Sequence, residues 1–175
     1  LVWSPDSKSL YGSIDDAGTL RIHRIDIARD KHEPVTTAAS FSSLAIAGKP
    51  ATLVAIRQSF TEPPTLVRVA TKDGAVTKLS DHNDGELARA AFGKVESVTY
   101  PGSDGVDIQM WVVYPPDFDP AQQYPLILEI HGGPFANYGP RFTLELQLYA
   151  AAGNLVLYVN PRGSTSYGEE FGNLI

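Results

Sequence analysis

The sequence predicts a mixed fold, in which a β-rich first half is followed by an α/β second half. In roughly the first ninety residues, short runs of alternating apolar and polar residues are separated by turn residues. From about Lys94 the chain changes to longer apolar segments in the order strand, turn, helix, strand. This order is typical of a βαβ unit and predicts a parallel pair of strands.

The first half is predicted to consist of short strands. The candidates span residues 9–14, 19–27, 43–47, 51–57, 66–70 and 76–79, and residues 80–85 are predicted to form a loop. Strands at this spacing favour a sandwich, a barrel or a propeller. The segments Trp-Ser-Pro-Asp-Ser-Lys (3–8) and Lys-Asp-Gly (72–74) are typical of four-stranded propeller blades. We therefore predict roughly one and a half to two blades, with a generic small β-sandwich as the alternative.

The second half is predicted to contain strands at residues 95–100, 107–114, 125–130 and 154–159 and a helix at residues 142–152. Residues 125–130 are nearly all apolar, which predicts a strand that is buried on both faces. The helix is predicted to be amphipathic, with Leu144, Leu148 and Ala151 on its apolar face. Gly153 follows at the expected C-terminal end.

Composition and charge exclude several classes of function. The net charge is −6 and there is no basic stripe, so a nucleic-acid partner is disfavoured. The absence of cysteine excludes disulfides, thiolate metal sites and a cysteine nucleophile. No two histidines have metal-ligand spacing, no cofactor is predicted, and His23, His32 and His82 are predicted to lie on the surface. No apolar stretch approaches the roughly 18 residues of a membrane helix, so no membrane partner is predicted.

The N-terminal sequence leaves the cellular location open. The chain starts Leu-Val-Trp-Ser-Pro, without an initiator methionine and without a basic region before an apolar run. We expect it to begin inside a longer sequence. A cytoplasmic location and, with a signal peptide upstream, a periplasmic or secreted location both fit, because proteins of either compartment can lack cysteine.

The segment His-Gly-Gly-Pro at residues 131–134 is the strongest candidate for chemistry, because an apolar strand passes into a turn there before a helix. Gly132 and Gly133 permit positive φ and leave their N–H groups unobstructed by side chains. An oxyanion hole needs backbone donors of this kind about 3 Å from a developing alkoxide. A tight turn that needs glycine only for packing is the alternative. His131 and Pro134 are predicted to support the turn, His131 through hydrogen bonds.

A search for the nucleophile is negative. The elbow motif Gly-x-Ser-x-Gly is absent, and the nearest approach is Ser-Thr-Ser-Tyr-Gly at residues 164–168. Only nine residues follow Ser166, too few for a downstream acid and base, so it is disfavoured as the nucleophile. His131 is disfavoured as the base because hydrolase triads run in the order Ser, Asp or Glu, His. Arg162 is predicted to pin its loop.

Two segments resemble the prolyl oligopeptidase (S9) family of serine peptidases. They are residues 124–134 (Tyr-Pro-Leu-Ile-Leu-Glu-Ile-His-Gly-Gly-Pro) and residues 160–168 (Asn-Pro-Arg-Gly-Ser-Thr-Ser-Tyr-Gly). The resemblance is closest to the dipeptidyl aminopeptidase/acylaminoacyl-peptidase branch. Upstream, residues 61–64 and 79–83 resemble the last propeller blade of that family. One departure is Ser166, where the family usually has glycine.

The resemblance implies a β-propeller that gates an α/β-hydrolase domain, in which a Ser-Asp-His triad cleaves short peptides. It places the end of the propeller at residues 1–93 and the start of the catalytic domain, truncated before the nucleophile, at residues 94–175. Gly132 and Gly133 would supply an oxyanion donor, whereas the whole triad would follow Ile175. The expected partners are a short peptide and the missing remainder of the catalytic domain. The chain alone is expected to be inactive toward aminoacyl nitroanilides and nitrophenyl esters.

The family's sheet order places the fourth strand between the second and the third, and the nucleophile-bearing fifth strand beyond the third. Residues 125–130 are therefore expected to have an open edge. An apolar strand with an open edge promotes aggregation and non-native pairing. The chain expressed alone is accordingly expected to be poorly soluble or partly unfolded, and a sharp two-state melt of a monomer would contradict this expectation.

Two other functions stay open. A carboxylesterase of the HGGG type shares the turn, although such esterases usually have a helical cap instead of a β-rich first half. A non-catalytic binding module linked to a propeller is the other alternative. The absence of a Gly-x-Ser-x-Gly elbow from the residues that follow would favour the binding module, and its presence would favour a hydrolase.

Overall fold

The structure is a computed structural model that describes residues 1–48, 50–133 and 135–174. The chain divides into two compact units. Unit 1 comprises Leu1–Leu87 and Gly139–Phe142, and unit 2 comprises Ala88–Tyr138 and Thr143–Ile175. None of the described helices combines the length and the apolar composition that crossing a membrane requires.

Unit 1 is built from two four-stranded antiparallel meanders and one short helix. The first meander contains β1 (Val2–Trp3), β2 (Ser9–Asp16), β3 (Thr19–Asp26) and β4 (Lys31–Pro34). The second contains β5 (Ser40–Ala47), β6 (Thr52–Gln58), β7 (Thr65–Ala70) and β8 (Val76–Lys78), and α1 (Asp84–Leu87) follows it. A single parallel pair, Leu20 with Ser40, joins β3 to β5. All six strands predicted for this half are confirmed, with ends that differ by a few residues.

The core of unit 1 draws on both meanders. Every second residue points inward, so that Leu53 and Ala55 on β6 and Val67 and Val69 on β7 are buried. The other members of this core are Tyr11, Ile22, Ala39 and Phe41. Burial of these apolar side chains supplies the main stabilising free energy of the unit.

Three elements of unit 1, namely β1, β4 and α1, were not predicted. Strand β4 is exposed along its whole length and lacks apolar alternation, so its pairing with β3 has no signal in the sequence. The loop predicted at residues 80–85 is wrong at its end, because α1 begins at Asp84. The N–H groups of Glu86 and Leu87 donate to the carbonyl oxygen of Asn83, which closes this turn of helix.

His23 on β3 is 6% exposed, and the prediction that it lies on the surface is wrong. Its Nδ1 lies 3.3 Å from Nδ1 of His32 on β4, and its Nε2 has no hydrogen-bond partner among the described residues. Burial, followed by the charges of His32 and Arg21, lowers the pKa of His23, while Asp16 acts in the opposite direction. His32 and His82 are exposed, as predicted.

The lowered pKa of His23 makes the stability of the protein depend on pH. Between the lowered folded pKa and the unfolded value of about 6.5, the unfolded chain binds more protons, so stability falls as pH falls through this window. We expect the thermal midpoint to drop between pH 7.5 and pH 5 and the drop to shrink in His23→Leu. His82→Asn, which changes an exposed histidine, is the matched control. An equal pH dependence in all three proteins would contradict this assignment.

Unit 2 is a four-stranded sheet with two helices. Its elements are β9 (Val95–Pro101), β10 (Asp107–Val113), β11 (Leu126–Ile130), α2 (Leu144–Ala151), β12 (Leu155–Asn160) and α3 (Glu169–Gly172). The strand order is β11-β12-β10-β9, with β11 and β12 parallel and the other pairs antiparallel. The predicted βαβ unit and the placement of the last strand between its two predecessors are both confirmed.

Strand β11 lies at the edge of this sheet, as the predicted sheet order requires. Burial on both faces, however, is wrong. Leu126, Leu128 and Ile130 are 59%, 55% and 58% exposed, and no described element covers the face that they form. An apolar run predicts that a strand belongs in a core. Whether each face of the strand is buried depends on whether another element packs against that face.

The predicted apolar face of α2 is also wrong. Leu144 and Leu148 are exposed, whereas Leu146, Gln147 and Ala150 are buried. Leucines occur at every second position from 144 to 148, so apolar side chains surround the helix and periodicity does not select one face. Gly153, with φ +87°, follows the end of the helix as predicted.

Candidate functional site

The candidate site lies where β11 and β12 end. Ile130 pairs with Val159 in the parallel register, so the turn that starts at His131 and the loop that starts at Asn160 leave the sheet side by side. In open α/β sheets, ligands bind at the carboxyl ends of such strands. We name residues 131–138 the glycine turn and residues 160–168 the adjoining loop.

Gly132 and Gly133 are both exposed on the glycine turn. Gly133 has φ +157°, and a Cβ built there would lie 3.0 Å from the nitrogen of Phe135. Gly132 has open space where a Cβ would be. No acceptor among the described residues takes a hydrogen bond from either N–H. Two adjacent backbone donors are therefore available to an anion or a developing alkoxide.

His131 links the glycine turn to the adjoining loop. Its Nδ1 lies 2.9 Å from the carbonyl oxygen of Gly132, and its Nε2 lies 2.9 Å from Oγ of Ser164. Ser164 is fully buried and donates its hydroxyl proton to the carbonyl oxygen of Pro161, at 2.6 Å. Each ring nitrogen of His131 therefore lies within hydrogen-bond distance of an oxygen atom, one in the glycine turn and one in the adjoining loop. His131 therefore links the two segments, and it does not act as a base on Ser164, whose proton is directed at Pro161.

Asn160 holds the other end of the glycine turn. Its side chain is fully buried, Oδ1 accepts from the N–H of Tyr138 at 2.7 Å, and Nδ2 donates to the carbonyl oxygen of Tyr138 at 3.0 Å. The same Nδ2 donates to the hydroxyl of Tyr167, at 2.6 Å, and that hydroxyl donates to Oε1 of Gln109. Only one of the two flipped orientations of the carboxamide satisfies all these partners. The positions of its oxygen and its nitrogen are therefore fixed.

The ring of Tyr138 closes the glycine turn. It packs edge-on against His131 and against Tyr158, with centroids 5.2 and 5.3 Å away. Its hydroxyl donates to Glu129 at 3.2 Å. Burial, together with the negative charge of Glu129, raises the pKa of Tyr138 to about 12. The phenol therefore stays protonated at neutral pH and does not act as a base.

Arg162 links its own loop to another turn of unit 2. Its guanidinium pairs with Asp104, which lies in the turn between β9 and β10, and this hydrogen bond lowers the pKa of the carboxyl group. Both side chains line an open pocket of about 560 Å³ on the exposed apolar face of β11. We interpret this pocket as uncovered sheet surface, because the glycine turn does not line it. Pro134 lies outside the described residues.

Ser166 adopts φ +83°, a left-handed conformation that favours glycine. The conformation costs a residue with a Cβ about 1–2 kcal/mol, partly offset by the greater chain entropy of unfolded glycine. We expect Ser166→Gly to raise the free energy of unfolding by about 0.5–1 kcal/mol, measured as a higher urea midpoint. Ser103→Gly, at an exposed position without positive φ, is the control and should not stabilise. A Ser166→Gly protein no more stable than wild type would contradict the strain argument.

The sequence did not identify Asn160 or Ser164 as site residues. The sequence signal that could have identified Asn160 is its place directly after an apolar strand, in a chain whose preceding apolar strand ends in a glycine-rich turn. Its meaning depends on the parallel pairing of β11 and β12, which brings the two segments together. Among the described residues, no three His, Asp or Glu side chains converge as a metal site requires.

Comparison with known proteins gives consistent results. The chain is 31% identical to the peptidase YuxL of Bacillus subtilis and 30% identical to dipeptidyl-peptidase 5 of Aspergillus fumigatus. The matches cover 99% and 95% of this chain, but only 26% and 24% of those proteins. The chain is a partial-length homologue of S9-family peptidases. No model of a protein family matches it.

A solved structure extends this likeness to the fold. The acylaminoacyl peptidase of Pyrococcus horikoshii superposes with a TM-score of 0.79 at 24% identity, over 93% of this chain and 25% of that structure. At this identity the match supports the fold alone. The S9 homology therefore comes from the sequence matches, and the chain spans about a quarter of the length of the relatives it matches.

Proposed function

We propose that the protein containing this chain is a serine peptidase that hydrolyses short peptides, and that the glycine turn supplies an oxyanion donor. One observation carries the proposal. In a homologue of S9 peptidases, Gly132 and Gly133 present N–H groups without acceptors among the described residues, at the carboxyl end of a parallel strand. Such donors stabilise the tetrahedral intermediate of acyl transfer, each by roughly 10²–10³ in kcat.

The two units fit the two domains of such an enzyme. Unit 1 is proposed to be the end of a β-propeller, because it consists of two meanders of four strands each, the size of a propeller blade. Unit 2 is proposed to be the start of an α/β-hydrolase domain, with β11 at the edge where further strands would pair. The proposed domain boundary lies between residues 93 and 94, where the sequence pattern changes, whereas the compact units divide between Leu87 and Ala88.

In the proposed mechanism, this chain supplies an oxyanion donor and the rest of the protein supplies the catalytic triad. A serine outside the chain attacks the substrate carbonyl, a histidine takes the proton of the serine, and an aspartate orients the histidine. Gly132 or Gly133 donates to the oxyanion, and the residue after the serine donates a second hydrogen bond. Ser164 is not proposed as the nucleophile because it is fully buried and its proton is directed at Pro161.

The proposed substrates are short peptides from which a dipeptide or an acylated amino acid is released. The name of a relative, a dipeptidyl-peptidase, supports release of a dipeptide. Release of an acylated amino acid follows from the resemblance of the sequence to the acylaminoacyl-peptidase branch. The choice between the two types of substrate depends on residues that recognise the free or acylated amino terminus.

A labelling and turnover experiment tests the proposal. The full-length protein is expected to react with a fluorophosphonate at one serine outside residues 1–175 and to hydrolyse dipeptidyl or acylaminoacyl p-nitroanilides. The chain alone is expected to do neither. Hydrolysis of p-nitrophenyl esters without any anilide hydrolysis would favour a carboxylesterase. Failure to label any serine would favour a non-catalytic module. Turnover by the chain alone that is lost in Ser166→Ala would contradict the proposal that the nucleophile lies outside this chain.

A further inference from the structure

The glycine turn is held at both ends by one short segment. Oγ of Ser164 lies 2.9 Å from Nε2 of His131 at the start of the turn, and Asn160 binds the backbone of Tyr138 at its end. A third bond runs from the N–H of Thr165 to the carbonyl oxygen of Ala136, at 3.0 Å. The position of the turn is therefore set largely by the loop that follows β12.

Asn160 is the strongest of these links. It bonds both the N–H and the carbonyl of one residue, as a neighbouring strand would, and it is fully buried. Its Nδ2 is also held by the hydroxyl of Tyr167, which in turn is held by Gln109 on β10. This chain of hydrogen bonds connects the turn to β10, one of the inner strands of the sheet. Because Asn160 itself is fully buried, its hydrogen bonds are partly shielded from competition with water.

We propose that Asn160 is a positioning residue for the oxyanion donors of the glycine turn. The carboxamide anchors Tyr138, the ring of Tyr138 packs on His131, and His131 directly precedes Gly132. Loss of the carboxamide frees the far end of the turn and lets the two glycine N–H groups drift from the position that the oxyanion needs. The inference rests on the proposed function, and it adds a residue that does not contact the substrate.

The test compares two Asn→Ala variants of the full-length protein. Asn160→Ala removes the anchor at the end of β12. Asn154 directly precedes the first residue of the same strand, and Asn154→Ala removes one hydrogen bond, from Nδ2 to the carbonyl oxygen of Tyr149. We expect kcat for a peptide nitroanilide to fall about 10–100-fold in Asn160→Ala, the range for a misplaced catalytic group, with KM nearly unchanged. Asn154→Ala should keep the wild-type kcat. Equal kcat in the two variants, or a change confined to KM, would overturn the proposal.

A milder variant keeps the test decisive if Asn160→Ala fails to fold. Tyr167→Phe removes the hydroxyl that holds Nδ2 of Asn160 and leaves the carboxamide in place. Its kcat should lie between those of wild type and Asn160→Ala, and a wild-type kcat in a folded Tyr167→Phe protein would count against the network.

A structural readout separates this inference from the proposed function. The amide of Thr165 is protected only while the turn stays docked, so its hydrogen exchange should speed up in Asn160→Ala and not in Asn154→Ala. If the wild-type protein hydrolyses no substrate, the proposed function fails and the exchange of Thr165 alone decides whether Asn160 positions the turn. Unchanged exchange in Asn160→Ala would then refute the positioning role.

Discussion

In the full-length protein, Gly133→Ala is expected to lower kcat for peptide hydrolysis by about 10²–10³-fold, the effect of losing one oxyanion donor. The backbone of Gly133 has φ +157°, in a region that residues with a Cβ rarely adopt. A Cβ there would also lie 3.0 Å from the nitrogen of Phe135. The turn must therefore change direction to accept alanine, and the N–H groups move with it.

Gly85→Ala is the matched control for this prediction. Gly85 lies on α1, does not have positive φ, and a Cβ there would contact nothing within 4 Å. Steady-state kinetics with a peptide nitroanilide should show a wild-type kcat for this variant. A Gly133→Ala enzyme with more than half of the wild-type kcat would show that the glycine turn is structural, the alternative that the sequence left open.

Trp111→Ala is expected to destabilise unit 2 by about 3–5 kcal/mol, the usual cost of truncating a buried aromatic side chain. Trp111 lies on β10, between β9 and β12, and is 3% exposed. Its ring stacks on Tyr158, with centroids 5.4 Å apart and planes 17° from parallel. Since whole domains are stable by only about 5–15 kcal/mol, this loss is a large share of the total.

The second tryptophan of the chain provides the control. Trp3 is 55% exposed at the start of unit 1, and Trp3→Ala should change stability by about 0.5 kcal/mol or less. Urea denaturation of the full-length protein, monitored by circular dichroism, should give a clearly lower midpoint for Trp111→Ala and an almost unchanged midpoint for Trp3→Ala. Similar midpoints for the two variants would mean that the stacked pair is not the centre of the sheet's core.

Strand positions were predictable because their signals are local. The alternation that buries Val67 and Val69 on β7 is visible in the sequence, and so is the turn at Asp73-Gly74 that leads into β8. Strand β4 lacked such a signal because all its residues are exposed, and only its pairing with β3 makes it a strand. The choice of buried face on α2 failed for a related reason, since leucines occur on more than one side of the helix.

The candidate site was predictable in part. A glycine pair between an apolar strand and a helix is a local pattern, and it led directly to Gly132 and Gly133. The supports of the turn are separated from it in the sequence by more than twenty residues, as with Tyr138 and Asn160. No local pattern links two such segments, because the contact exists only through the parallel register of β11 and β12.

The sequence by itself determined the order of the elements, the glycine turn and the resemblance to S9 peptidases, because these depend on neighbouring residues and on short motifs. Only the tertiary structure decided which faces are buried, as for His23 and Leu128, and which distant groups meet, as for His131 and Ser164. Burial and long-range hydrogen bonds depend on which surfaces the folded backbone brings together. The glycine turn is therefore recognisable from its own residues, while its position is set by a loop more than twenty residues further along the chain.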